Sequence, residues 1–233
     1  MFRRGVILLL GAALAGCGGS TASGPSATVT AVTIAGTASL SGVGQTSQLT
    51  LTATMSSGAP RTVTSQAGWQ SSNLTVATVS TAGLVTAQGY GAATITASYQ
   101  GATTAFAFLV TIAGTWTATV PDGSSVTWVL AQSQGLVTGT FSLAPVTAGN
   151  GLSTATVGGT VSDSTFTWTM TGTIGADTGR PECVGTTPII AGIALVTRGG
   201  ASMNATIHSV VGVCDPDLVP SVPVGAAITF TKQ

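Results

Sequence analysis

Residues 165–171 read Thr165-Phe166-Thr167-Trp168-Thr169-Met170-Thr171, threonine alternating with large apolar side chains. Successive side chains of a strand point to opposite faces, so Phe166, Trp168 and Met170 share one face and the threonines the other. The same period recurs on both sides of this stretch. Trp116, Ala118 and Val120 share a face, as do Val126, Trp128 and Leu130, and Ile228 and Phe230. Eight strand-like runs are predicted, over 115–120, 125–132, 136–143, 155–162, 165–173, 188–197, 201–210 and 225–232. Turns such as Pro121-Asp122-Gly123 and Asp163-Ser164 are short enough to make neighbouring runs into hairpins. Eight antiparallel strands in sequence order close into an up-and-down β-barrel, which leaves no unpaired sheet edge. This barrel is predicted over residues 114–233.

Composition agrees with an all-β chain and excludes several classes of function. The 233 residues suffice for one large or two small domains. Only 5% are charged, six basic and six acidic, against about 25% in an ordinary globular protein. Nucleic-acid binding needs a basic patch to displace counterions, and none can be built. One His and three Cys do not make a zinc finger or a His/Cys metal cluster. Abundant Gly, Thr, Ser, Ala and Val mark short strands and turns.

Upstream lies a second all-β region, residues 28–113. Apolar residues alternate through Val29 to Ile34, then Leu49, Leu51 and Ala53, then Val76 and Val79. Leu84 and Val85, Ile95 and Ala97, and Phe106 to Ile112 follow, seven short strands that predict a β-sandwich. Four blocks stand in order: Trp69-Gln70-Ser71-Ser72-Asn73, Val76-Ala77-Thr78-Val79-Ser80, Gly83-Leu84-Val85-Thr86-Ala87 and Gly91-Ala92-Ala93-Thr94-Ile95-Thr96-Ala97. Together they resemble the bacterial Ig-like domain of group 2, found in adhesins and many surface proteins. Trp69 is expected to fill the core between the sheets, with Gly83 and Gly91 at turns that need an unhindered backbone. Arg61 is the domain's only charged side chain. With no carboxylate, the domain can neither cage Ca²⁺ nor use Asp, Glu or His in acid–base catalysis. It is a spacer or a binding surface.

The N-terminus, MFRRGVILLLGAALAGC, combines a positive start at Arg3 and Arg4 with an apolar run from Val6 to Leu14. That run is shorter than the ~20 apolar residues a membrane span needs. Leu14-Ala15-Gly16-Cys17 resembles the lipobox of bacterial lipoproteins. The resemblance implies removal of residues 1–16 and lipidation of Cys17, making it the membrane anchor. Gly18 in place of Asp implies, by the same resemblance, the outer membrane where the cell has one. The mature chain then carries four basic and six acidic residues, a net charge near −2. Residues 18–27, GGSTASGPSA, are expected to act as a flexible tether reaching roughly 15–20 Å.

Gly114-Thr115-Trp116 resembles the G-x-W signature of lipocalins and other calycins, and Gly139-Thr140-Phe141 is similar to the end of a strand in avidin-like barrels. In calycins a basic residue of the last strand packs over that Trp, a place Lys232 can take. The chain departs from avidins at Ala118, where they use Asn, and at Phe141, where they use Tyr, so biotin is not expected. An apolar cup lined by Trp116, Trp128, Phe141 and Trp168 remains, unless those rings simply fill the barrel. Cys183 and Cys214 are the pair left once Cys17 is lipidated. In an exported protein they are expected to form a disulfide, stabilising by about 3–4 kcal/mol through a closed loop of ~30 residues. Glu182, Asp215 and Asp217 are expected to cluster beside Arg180, the three carboxylates as a weak Ca²⁺ ligand set or the group as a solvated loop with an ion pair. His208 falls by parity outside the barrel, and no G-x-S-x-G elbow accompanies it.

These readings predict a lipid-anchored, non-enzymatic envelope protein without cofactor or metal. An Ig-like spacer presents a barrel for adhesion, to a surface protein or glycan. The alternative is a carrier with a small apolar ligand in the barrel mouth.

Overall fold

A computed structural model describes residues 26–144, 152, 154–174, 183–212 and 223–233. The fold is all-β, a sandwich followed by a closed antiparallel barrel. The sandwich holds β1 (Val29–Ala35), β2 (Ser39–Leu40), β3 (Thr46–Gln48), β4 (Thr50–Met55) and β5 (Arg61–Thr62). It continues through β6 (Gly68–Ser71), β7 (Ala77–Val79), β8 (Leu84–Ala87), β9 (Gly91–Tyr99) and β10 (Ala102–Val110). These ten strands form three sheets, in the orders β1-β4-β5, β2-β10-β9-β6 and β3-β8-β7. The long hairpin β9–β10 is the backbone of the domain, paired without a break from Ala102↔Tyr99 to Val110↔Gly91.

Sequence periodicity predicts seven strands here, and the additional ones are short pieces such as Ser39–Leu40 and Arg61–Thr62. Two residues carry no alternation, so tertiary pairing alone makes them strands. Trp69 also departs from expectation. It lies on β6, the edge strand beside β9, and is only half-buried. It packs against both apolar clusters that reach this domain, and its indole N–H donates to the Thr64 carbonyl at 2.9 Å. Gly83 and Gly91 do carry positive φ, +76° and +131°, where a side chain is strained.

The barrel is built from β11 (Gly114–Thr119), β12 (Ser125–Ser133), β13 (Leu136–Ala144) and β14 (Thr154–Ser162). Then come β15 (Thr165–Thr171), β16 (Ile189–Val196), β17 (Ser202–Val211) and β18 (Ala227–Lys232). Each strand pairs with its sequence neighbours, and β11 closes on β18 through Trp116↔Lys232 and Thr117↔Thr231. Gly139-Thr140-Phe141 does not end its strand, because β13 runs on to Ala144. His208 is exposed, as parity requires, at a bulge where Ala191 pairs with Ser209 but Gly192 with Ile207.

Apolar side chains fill the barrel interior while Thr165, Thr167, Thr169 and Thr171 face outward on β15. A membrane-spanning barrel shows the reverse, an apolar band outside and polar residues within. Among the described residues, no helix is long and apolar enough to cross a membrane.

The sandwich seats itself on one end of the barrel, where the β12–β13, β14–β15 and β16–β17 turns lie. Gln132 accepts from the Ile112 amide at 2.8 Å and donates to the Val110 carbonyl at 3.3 Å. The Tyr90 amide donates to the Asp163 carbonyl at 2.6 Å, and the Gly199 amide to the Val43 carbonyl at 3.1 Å. The apolar core runs continuously from Leu49 and Ile95 of the sandwich to Trp116 and Phe166 of the barrel.

Gly42 shows how close this approach is. A Cβ placed there would run into the Gly199 backbone, with nothing flexible to yield. Gly42→Ala is therefore expected to lower stability by about 1–3 kcal/mol, as overpacking does. Because the strain falls between the domains, denaturant unfolding should split from one transition into two.

Candidate functional site: the aromatic interior of the barrel

Strand register assembles the aromatic cluster. Trp116, Trp128 and Phe141 stand directly opposite one another on β11, β12 and β13, all inward. Trp168 comes from β15, where its cross-strand partners are Gly159 and Gly192. A Cβ on Gly192 would press on the Trp168 ring at 2.7 Å. Gly192 thus leaves room for the indole, while a Cβ on Gly159 would meet the Thr167 and Trp168 main chain. Phe230 enters from β18 and stacks on Trp128 with centroids 4.5 Å apart. Trp168 and Phe166 meet Trp128 edge-on at 5.2 and 6.2 Å, geometries that suit the ring quadrupoles.

The four residues expected from sequence to line a cup do not share one role. Trp128, Phe141 and Trp168 wall a cavity of about 20 Å³, together with Val126, Met170 and Ile190. Ala205, Ile207, Ile228 and Phe230 complete the wall. Trp116 does not line it. Its ring is fully buried nearer the sandwich, its indole N–H donates to the Ile112 carbonyl at 2.8 Å, and Lys232 Nζ lies 5.3 Å from the ring centroid. That cation–π contact is worth about 0.5–1 kcal/mol, and burial lowers the Lys232 pKa. Gly114, at φ +133°, clears the space that the Lys232 stem occupies.

The rings therefore pack much of the barrel solid, leaving space for about one water-sized group. Phe230 and Met170 are legible as inward residues from strand parity, but nothing in the sequence says that they meet Trp128 and Trp168. Tyr90 was missed altogether. It is 1% exposed and its hydroxyl donates to the Thr197 carbonyl at 3.3 Å across the domain junction.

Residues 28–106 match the family model of the bacterial Ig-like domain, group 2. The matched stretch thus covers the sandwich from its first strand into β10. No curated protein matches the chain. Domains of this group are typically non-enzymatic modules of cell surfaces, and the match suggests a surface-type role for this one.

The remaining sequence-predicted residues lie mostly outside the described residues. Cys17 is one of them, as are Arg180, Glu182, Cys214, Asp215 and Asp217. Cys183 is 1% exposed, packs with Ile174 and is a half-cystine. Its partner falls outside the described residues. Among the described residues no group of three His, Cys, Asp or Glu side chains could hold a metal ion.

Proposed function

We propose that this is a non-enzymatic, lipid-anchored protein of the bacterial envelope whose Ig-like domain holds the barrel away from the membrane for contact with a surface protein or glycan. One observation carries this reading. The Ig-like domain occupies one end of the barrel, through Gln132, Tyr90 and Gly199. The β11–β12 turn and the longer connections after β13, β15 and β17 leave from the other end. The two domains therefore act as one stiff arm, with one barrel end seated and the other free to meet a partner. Thr and Ser hydroxyls on the outer strands offer hydrogen bonds to a neutral partner in place of charge. A Cys183–Cys214 disulfide would tie two of the free-end connections together, and burial of Cys183 as a half-cystine supports it. The group-2 Ig-like match and the lipobox-like Leu14-Ala15-Gly16-Cys17 support an envelope location. A multiply acylated Cys17 would hold the chain stably, as a single acyl chain does not.

Cys17→Ser tests the anchor. The unsubstituted protein is expected in the membrane fraction and the detergent phase of a phase separation. The variant should move almost wholly to the soluble fraction with its fold intact. A variant that stays with the membrane would rule out lipid on Cys17 as the anchor.

A further inference from the structure

The four tryptophans divide by the fate of their indole N–H. Trp69 donates to the Thr64 carbonyl and Trp116 to the Ile112 carbonyl. Trp128 and Trp168, each 3% exposed, have no partner for Nε1 among the described residues. Buried donors are nearly always satisfied, and a buried Trp usually finds an acceptor for its N–H. Here two orphan donors sit on rings 5.2 Å apart that wall the same cavity.

The chemistry of the walls narrows what can satisfy them. Around the two indoles the lining side chains are aliphatic or phenyl, apart from the weakly accepting thioether of Met170. A water molecule could accept from both indoles, but its own two hydrogens would then find no acceptor. A carboxylate would be buried without a counter-charge, since no cationic side chain lines the cavity. A carbonyl oxygen has two lone pairs and donates nothing, so it fits both conditions.

We propose that the barrel interior is a binding site for a small uncharged molecule, apolar over most of its surface, whose ketone- or ester-type carbonyl oxygen accepts from the Trp128 and Trp168 indoles. The cavity of about 20 Å³ has room for the carbonyl group itself. The apolar remainder lies among Met170, Ile207 and Ile228, which move apart to admit it. Ile228 is already half-buried, on the strand that closes the barrel to β11 through only two paired positions. Entry is from the end remote from the Ig-like domain, because the Tyr90 and Gln132 contacts stopper the other.

The test uses the full chain labelled with ¹⁵N-tryptophan and a matched pair of probes, cyclohexanone and methylenecyclohexane. They share size and shape, but only the first has an acceptor oxygen. Cyclohexanone is expected to move the indole resonances of Trp128 and Trp168 and to leave those of Trp69 and Trp116 in place. Methylenecyclohexane should bind at least about threefold more weakly, the lower range for loss of a net hydrogen bond. Trp128→Phe and Trp168→Phe each remove one responding resonance and assign it. If a variant misfolds, the Trp69 and Trp116 resonances move with it, and the probe comparison on the unsubstituted protein decides alone. Equal response to both probes, or response to neither, overturns the proposal.

Discussion

Trp128→Ala is expected to cost the barrel about 3–5 kcal/mol, the range for truncating a large buried aromatic. Trp128 is the hub of the interior, touching Phe230, Trp168 and Phe166 at once. Its removal takes a ring contact from each of three neighbours, and strands paired on both sides cannot collapse into the gap. One effect runs the other way, because the substitution also removes an unpartnered buried donor. That relief is about 1–3 kcal/mol, and the expected loss lies toward the lower end of the range. Trp128→Phe separates the two contributions. It keeps most of the ring contact and removes the donor, so it should lose clearly less than the alanine variant. Urea unfolding of the three proteins measures both. A loss below about 1 kcal/mol for Trp128→Ala would show that the barrel interior is loosely filled.

The barrel was legible because its strands obey one local rule over long runs. Phe166, Trp168 and Met170 are buried on β15 and the intervening threonines are not. The same holds for Val126, Trp128 and Leu130 on β12. Closure follows from eight such strands in order, each paired with its sequence neighbours. Trp69 shows where the local rule fails, since a large aromatic in a strand does not say whether that strand is central or at an edge. Trp116 and Trp128 are also indistinguishable by parity. They are direct cross-strand partners, and only what each ring meets, Ile112 and Lys232 for one and Trp168 and Phe230 for the other, separates a ring capped by a lysine from one that walls a cavity. The bulge at His208 left its outward direction intact while shifting the pairing beyond it. Tyr90 was invisible for a different reason. Its partners are main-chain carbonyls of Asp163 and Thr197, groups that every residue carries and no sequence pattern announces.

Tyr90→Ala is the second large effect expected, about 3–5 kcal/mol by the same reasoning for a buried aromatic, but spent on the junction between domains. Alanine keeps the amide that donates to Asp163 and loses the ring and the hydroxyl. With that wedge gone, the Ig-like domain and barrel should unfold in separate transitions, where one is expected for the unsubstituted protein. Tyr90→Phe keeps the ring and loses the hydroxyl with its bonds to Thr197 and Val43, about 1 kcal/mol for each. The hydroxyl also makes the junction sensitive to alkali. Burial pushes the Tyr90 pKa up to about 12, offset in part by a backbone hydrogen bond with Val43. An unfolded tyrosine ionises near pH 10. Below pH 10 both states keep the proton and the group adds no pH dependence. Between pH 10 and about 12 the unfolded state has released its proton and the folded state has not, so stability falls as pH rises. Above the folded pKa the slope from this group disappears. Unfolding free energies measured from pH 8 to 12 should therefore decline less steeply above pH 10 in Tyr90→Phe than in the unsubstituted protein. Parallel curves for the two would mean that the Tyr90 hydroxyl is not held in a desolvated junction.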